Sequence, residues 1–279
     1  MKAVQALLAK HHVQSHLQHL LKQIRPFRVL GLDINTKTTG YVVLNEKGRL
    51  VKFGHVSTKH LSSEIQMLDI GIDITNALKE LAIPKQENIT WLVGIEDFLK
   101  TYASGRFHTK GLFQLAQLNG LISYSCLLTF GTRPQHIHPT SARAFFRLAK
   151  DKEMKKRDAI KHVVMDFALS MEPNLSFPEK NSVGYRYDIA DAYVIAFYTY
   201  WQHVATLACD KNQEWTQVVI ADLNQLLDKQ MTRKAALPID FDSERYLDTV
   251  LLAHVQDYIK DIVHDTALLN SIRPNANQQ

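Results

Sequence analysis

Val29-Leu30-Gly31-Leu32-Asp33-Ile34-Asn35, followed closely by Thr38-Thr39-Gly40-Tyr41-Val42-Val43-Leu44, decides how the rest of the chain is read. Both runs are short, aliphatic and rich in β-branched residues, which is the composition of buried strands. A third strand is predicted over 49–56, with Asn45-Glu46-Lys47-Gly48 as the turn before it. Strands joined by turns this tight run antiparallel. The spacing then predicts a helix over 63–83 stopping before Pro84, and a strand Trp91-Leu92-Val93-Gly94-Ile95-Glu96. A helix over 111–129 comes next, then a short strand Pro134-Gln135-His136-Ile137-His138 and a helix from Pro139 toward 149. A lysine-rich helix covers 152–170, and a loop with Pro173, Asn174, Pro178 and Gly184 leads into a helix carrying Asp188 and Asp191. Beyond residue 202 the pattern is helical, with Pro238 as a breaker. The expected architecture is α/β, a mixed five-stranded sheet flanked by helices. The expected organisation is an N-terminal amphipathic helix or leader over 1–27, a central domain over 28–202 and a C-terminal helical extension over 203–279.

The 279 residues suffice for one full domain with extensions or for two small ones. A hydrophobic fraction of 46% and a charged fraction of 22% belong to an ordinary globular chain. The net charge of +5 is a mild bias toward polyanionic partners. Cys126 and Cys209 lie in apolar helical contexts and read as buried free thiols, which fits a reducing compartment. No apolar run has the length of a membrane span. No acid precedes Asp33, while Lys2, Lys10, Lys22, Arg25 and Arg28 do, and apolar residues from Val4 to Ile24 recur at near-helical spacing. This is the look of an organelle transit peptide, and equally of an accessory helix docked on the mature protein.

The candidate chemistry rests on four acids. Asp33 and Glu96 end strand-like apolar runs, and Asp188 and Asp191 sit three apart on a helix among Ile189, Ala190, Ala192 and Val194. A carboxylate at the end of a buried strand is unfavourable unless something pairs with it. Residues three apart share a helix face, so Asp188 and Asp191 are expected to point the same way. A helix start would also favour their charge. Oxygen donors gathered in this way suit a hard cation, Mg²⁺ or Mn²⁺, and four acids around two ions would cut a phosphodiester. The assignment made here puts Asp33 between the ions, Glu96 and Asp191 on one and Asp188 on the other.

Leu30-Gly31-Leu32-Asp33, Thr39-Gly40-Tyr41-Val42-Val43, Ile95-Glu96-Asp97-Phe98, Leu115-Ala116-Gln117-Leu118-Asn119-Gly120 and Asp188-Ile189-Ala190-Asp191-Ala192, in that order, resemble RuvC-type Holliday junction resolvases, including their organellar relatives. The resemblance covers roughly 28–202 and implies an RNase H-like fold. It also implies a homodimeric, Mg²⁺-dependent endodeoxyribonuclease that nicks four-way DNA junctions symmetrically, with Asp33, Glu96, Asp188 and Asp191 as metal ligands. The chain departs from the bacterial pattern after the first acid, where Ile34-Asn35 stands in place of a Pro-Gly pair. That departure points to an organellar or divergent branch and removes no ligand. Other nucleases of this fold, cutting RNA–DNA hybrids or other branched DNA, and non-catalytic nucleic-acid-binding proteins of the same fold are the rival readings. An actin-like ATPase is disfavoured because its phosphate loops need more glycine than 32–40 offers.

DNA contacts are expected in two places. The loop 99–110 mixes cations with aromatics, and Lys100, Tyr102, Arg106, Phe107 and Lys110 are its candidates. The second group is Arg143, Lys155, Lys156 and Arg157; Arg143 and Lys156 resemble the basic residues by which family members hold the scissile strand. His136 and His138 lack a cysteine partner at zinc spacing and read as structural. Leu112, Leu115, Leu118, Ile122 and Cys126 form one stripe, expected to pack on the sheet or to serve dimerisation.

Overall fold

The computed structural model describes residues 2–58, 67–82, 89–97, 109–148, 157–175, 183–231, 243–265 and 268–270. The strands are β1 (Phe27–Asp33), β2 (Thr38–Asn45), β3 (Leu50–Ser57), β4 (Thr90–Glu96) and β5 (Gln135–Ile137). The helices are α1 (Lys2–Lys10), α2 (Val13–Gln23), α3 (Met67–Leu81), α4 (Thr109–Phe130), α5 (Pro139–Phe145), α6 (Arg157–Met171), α7 (Val183–Ala208), α8 (Glu214–Met231) and α9 (Ser243–His264). They form two compact units, Arg25–Tyr200 and Met1–Ile24 with Trp201–Gln279.

In the first unit the sheet order is β3-β2-β1-β4-β5. β1, β2 and β3 form an antiparallel meander, whereas β4 pairs parallel with β1 and β5 parallel with β4. This is the expected mixed five-stranded α/β sheet flanked by helices, with the strand order of the RNase H-like fold. The tight turn after β2 dictates the antiparallel pair, and the intervening helices permit the parallel ones.

Side chains alternate across each strand, so two faces separate cleanly. Leu30, Leu32, Val43, Val93 and Ile95 point to one face, where Ile70, Ile74 and Leu78 of α3 and Leu118, Ile122, Cys126 and Phe130 of α4 cover them. The fourfold spacing of the α4 residues puts them on a single stripe, so the sheet-packing role of that stripe is realised; Leu112 and Leu115 are only partly buried. Gly31, Asp33, Gly40, Gly94 and Glu96 have the opposite parity. That face receives α7, which lies so close to β1 that a β-carbon on Gly31 would strike the carbonyl of Ala192 and come within 2.5 Å of the Ala196 nitrogen.

Helices α5, α6 and α7 are locked together by aromatic rings. Phe146 meets Phe167 at 5.1 Å and Phe197 at 5.3 Å between centroids, and Phe145 meets Tyr198 edge-on at 5.2 Å. Phe146 is fully buried. Phe146→Ala is therefore expected to lower stability by about 3–5 kcal/mol, measured by chemical denaturation.

In the second unit lies the N-terminal segment, expected as an amphipathic helix or leader over 1–27. It forms α1 and α2, with His12 in a left-handed backbone (φ 50°) between them. Leu7, Leu8, Val13, Leu17 and Leu21 are buried. The Trp215 indole donates to the His11 carbonyl at 2.8 Å, and its ring stacks on His16 at 4.2 Å. Asp222 accepts from Lys10 at 3.0 Å and pairs with the His11 ring at 2.9 Å. Burial drives the His16 imidazole below its ordinary pKa, partly offset by its hydrogen bond to the Ala208 carbonyl.

Both cysteines are free thiols. Cys126 is buried as expected, but Cys209 is only half-buried, since it lies just past the end of α7. Among the described residues, no helix is long and apolar enough to cross a membrane.

Candidate metal centre

Strand parity and register put the acids together. Leu32 pairs with Ile95 in the parallel ladder, so Asp33 and Glu96 follow one residue later at the C-terminal ends of β1 and β4, on the face toward α7. Such carboxyl ends are where open α/β sheets place their sites. α7 brings Asp191 to the same spot: ligand oxygens of Asp33, Glu96 and Asp191 all lie within 4.8 Å of one another. The three side chains are partly buried, sunk below the surface yet open to an ion.

Asp188 does not join that group of three, although its charge reaches both Asp33 and Glu96. Its backbone is seated against β2, because Gly40, directly opposite Asp33 in the antiparallel ladder, leaves no side chain between them. A β-carbon there would collide with the Asp188 carbonyl and lie 2.8 Å from the Ile189 nitrogen. α7 begins at Val183, so Asp188 and Asp191 sit in the helix body rather than at its start. The expected help from the helix N-terminus is corrected accordingly, since that effect fades within the first turn.

The electrostatics follow from this crowding. Burial, and then the charges of Glu96, Asp191 and Asp188, push the Asp33 carboxyl well above the usual carboxylate range. Burial and the Asp191 charge raise Glu96 to about 8. Arg143 of α5 opposes both shifts, and its guanidinium donates to Asp191 Oδ1 at 2.8 Å. Oxygen-only donors that repel one another form a fitting cradle for Mg²⁺ or Mn²⁺. Arg143→Gln is expected to destabilise the metal-free protein by about 1–3 kcal/mol, by leaving Asp191 unpaired. It should also move the pH at which metal begins to stabilise the fold upward, because the guanidinium no longer favours the ionised acids. Thermal melts with and without Mn²⁺ across pH would read both effects.

Of the DNA-contact candidates, Arg143 is thus found on Asp191. Lys110 stands exposed in the first turn of α4, and Arg157 opens α6. Lys100, Tyr102, Arg106, Phe107, Lys155 and Lys156 lie outside the described residues. His136 bonds Ser123 at 3.0 Å and His138 accepts from the Thr140 amide at 3.3 Å, which are local structural roles.

The fold and the site together define an RNase H-like α/β domain with a cluster of acids at the carboxyl edge of its sheet. No family model matches the chain, and no curated protein matches it by sequence. Among solved structures it is similar to RuvC of Thermus thermophilus in complex with a Holliday junction substrate, at 14% identity and a TM-score of 0.43, covering 64% of this chain and 97% of that one. A second Thermus thermophilus RuvC structure is 15% identical with a TM-score of 0.45, covering 64% of this chain and 98% of the other.

Proposed function

We propose that this chain is a metal-dependent endodeoxyribonuclease that resolves four-way DNA junctions, acting as a homodimer. The observation that carries the reading is the convergence of Asp33, Glu96 and Asp191 within 4.8 Å, at a sheet edge built by strands and a helix distant in sequence. Asp33, Glu96 and Asp191 would hold Mg²⁺ or Mn²⁺, with Asp188 beside them for a second ion. Such a pair of ions supplies an activated water and stabilises the leaving oxygen in phosphodiester hydrolysis. Arg143 keeps Asp191 oriented through its hydrogen bond. The ordered sequence motifs favour a junction over a plain duplex as the substrate.

Two symmetric nicks need two such sites. Phe113, Tyr124 and Leu128 stand 63%, 63% and 68% exposed along α4, and Leu68 and Ile72 are exposed on α3. Apolar side chains grouped on a surface in this way support self-association.

The test is incubation of the purified protein with a labelled four-way junction, a linear duplex and an RNA–DNA hybrid, each with Mg²⁺, with Mn²⁺ and with EDTA. Paired metal-dependent nicks in the junction are expected. Preferential cutting of the hybrid would move the protein to another nuclease of this fold. Tight junction binding without cleavage under either metal would make it a non-catalytic binding protein.

A further inference from the structure

We infer that Lys161, His162 and Tyr187 form a second phosphate-binding subsite, which holds the DNA strand one helical turn away from the acid cluster. The inference rests on the nuclease reading above and names how that site grips its substrate.

Tyr187 lies four residues before Asp191 on α7, on the same face and about 5–6 Å along the axis. Side chains of a helix lean toward its N-terminus, so the Tyr187 ring extends the strip that begins at the carboxylates. Two residues of α6 close on this ring. The Lys161 ammonium stands over its face at 5.2 Å from the centroid, and His162 meets it edge-on at 5.5 Å, with the imidazole nitrogen 3.2 Å from the phenol oxygen. Tyr187 and Lys161 are partly exposed and His162 is exposed.

A lysine on a helix surface is ordinarily a solvated, mobile charge. This one is held over an aromatic ring, so less freedom is lost when it takes an anion. The ammonium donates to a phosphate oxygen, and of the bonded phenol–imidazole pair one member keeps a proton to donate: the Tyr187 hydroxyl where His162 Nε2–H donates to it, or His162 Nδ1–H where the hydroxyl donates to Nε2. The Phe146–Phe167–Phe197 rings fix α6 against α7, so the three side chains keep their place relative to Asp191. The catalytic acids repel a polyanion, and donors flanking them are needed to seat the strand. The ligand class is therefore a backbone phosphodiester next to the one being cut.

The experiment measures binding of a labelled four-way junction by fluorescence anisotropy in EDTA, over a salt series, with the full chain. Wild type is compared with Lys161→Gln, Lys161→Arg, His162→Gln and Tyr187→Phe, and each variant is checked by thermal melt. Loss of the Lys161 charge from a phosphate should reduce the log–log salt slope by about 1, whereas His162→Gln and Tyr187→Phe, which remove no fixed charge, should weaken binding with the slope kept. Lys161→Gln is expected to show this loss while melting like wild type, and Lys161→Arg should restore the slope. An unchanged Lys161→Gln salt slope with a lowered melting temperature would overturn the inference and leave the trio as a helix–helix contact. Wild-type protein that neither binds nor cuts any DNA would overturn the nuclease reading itself. Wild-type cutting with an unaltered Lys161→Gln slope would overturn only the subsite.

Discussion

Replacing Asp33 with asparagine is expected to lower metal-dependent cleavage on the order of a thousandfold and, at the same time, to stabilise the metal-free protein. The two effects have one cause. Asp33 ends β1 facing Glu96, Asp191 and Asp188, and burial together with those charges holds its carboxyl well above the ordinary range. Asparagine keeps the shape and removes one charge from the repelling set. Above neutral pH the variant should therefore melt higher than wild type in EDTA, by about 2–4 °C for each kcal/mol of repulsion relieved. The rise in melting temperature that Mn²⁺ gives to wild type should disappear.

The pH dependence has a definite sign. Glu96 rises from 4.5 to about 8 on folding, and Asp33 rises as well, so the folded state binds protons that the unfolded state has released. Their contribution to stability is complete below about pH 4.5 and is lost as pH climbs through about 8. Wild-type protein in EDTA should lose thermal stability between about pH 5 and pH 9, and saturating Mn²⁺ should flatten the curve. A melting temperature in EDTA that rose steadily over that range would show that the acids do not crowd one another as described.

Gly31→Ala is expected to be strongly damaging for a single-methyl change. The added carbon would meet the Ala192 carbonyl, and would lie 2.5 Å from the Ala196 nitrogen and 2.7 Å from the Ala196 β-carbon. These are atoms of a helix backbone and a side chain with no rotamer to change, so the neighbour cannot yield locally. α7 must move away from β1. Overpacking of this kind takes about 3 kcal/mol or more from stability, or roughly 6–12 °C in melting temperature. Because α7 carries Asp188 and Asp191, metal binding should weaken in parallel. Gly40→Ala should take a comparable amount from stability, since its added carbon meets the α7 backbone at the Asp188 carbonyl and lies 2.8 Å from the Ile189 nitrogen. A Gly31→Ala protein melting within about 2 °C of wild type would place α7 elsewhere.

Much of this was legible in the chain. The runs at Val29–Ile34 and Thr38–Leu44 and the turn at Asn45–Gly48 are local signals, and strand, turn and helix type follow from local propensity and periodicity. Asp33 and Glu96 stand out in the sequence as well, since a charge closing an apolar run is conspicuous in one dimension. The two-helix form of the N-terminal segment was not legible: a left-handed His12 interrupts the periodicity by a single residue, and no glycine marks the break.

The order and type of the elements, and the charges at their ends, can be read along the chain because they depend on neighbours within a few positions. The convergence of Asp33, Glu96 and Asp191, the bond from Arg143 to Asp191 and the closing of Lys161 and His162 on Tyr187 arise in the folded chain alone. Those contacts join residues tens of positions apart or more. They are set by sheet register, by the parity of β1 and β4, and by how closely α7 approaches over Gly31 and Gly40, distances that no local window of sequence contains.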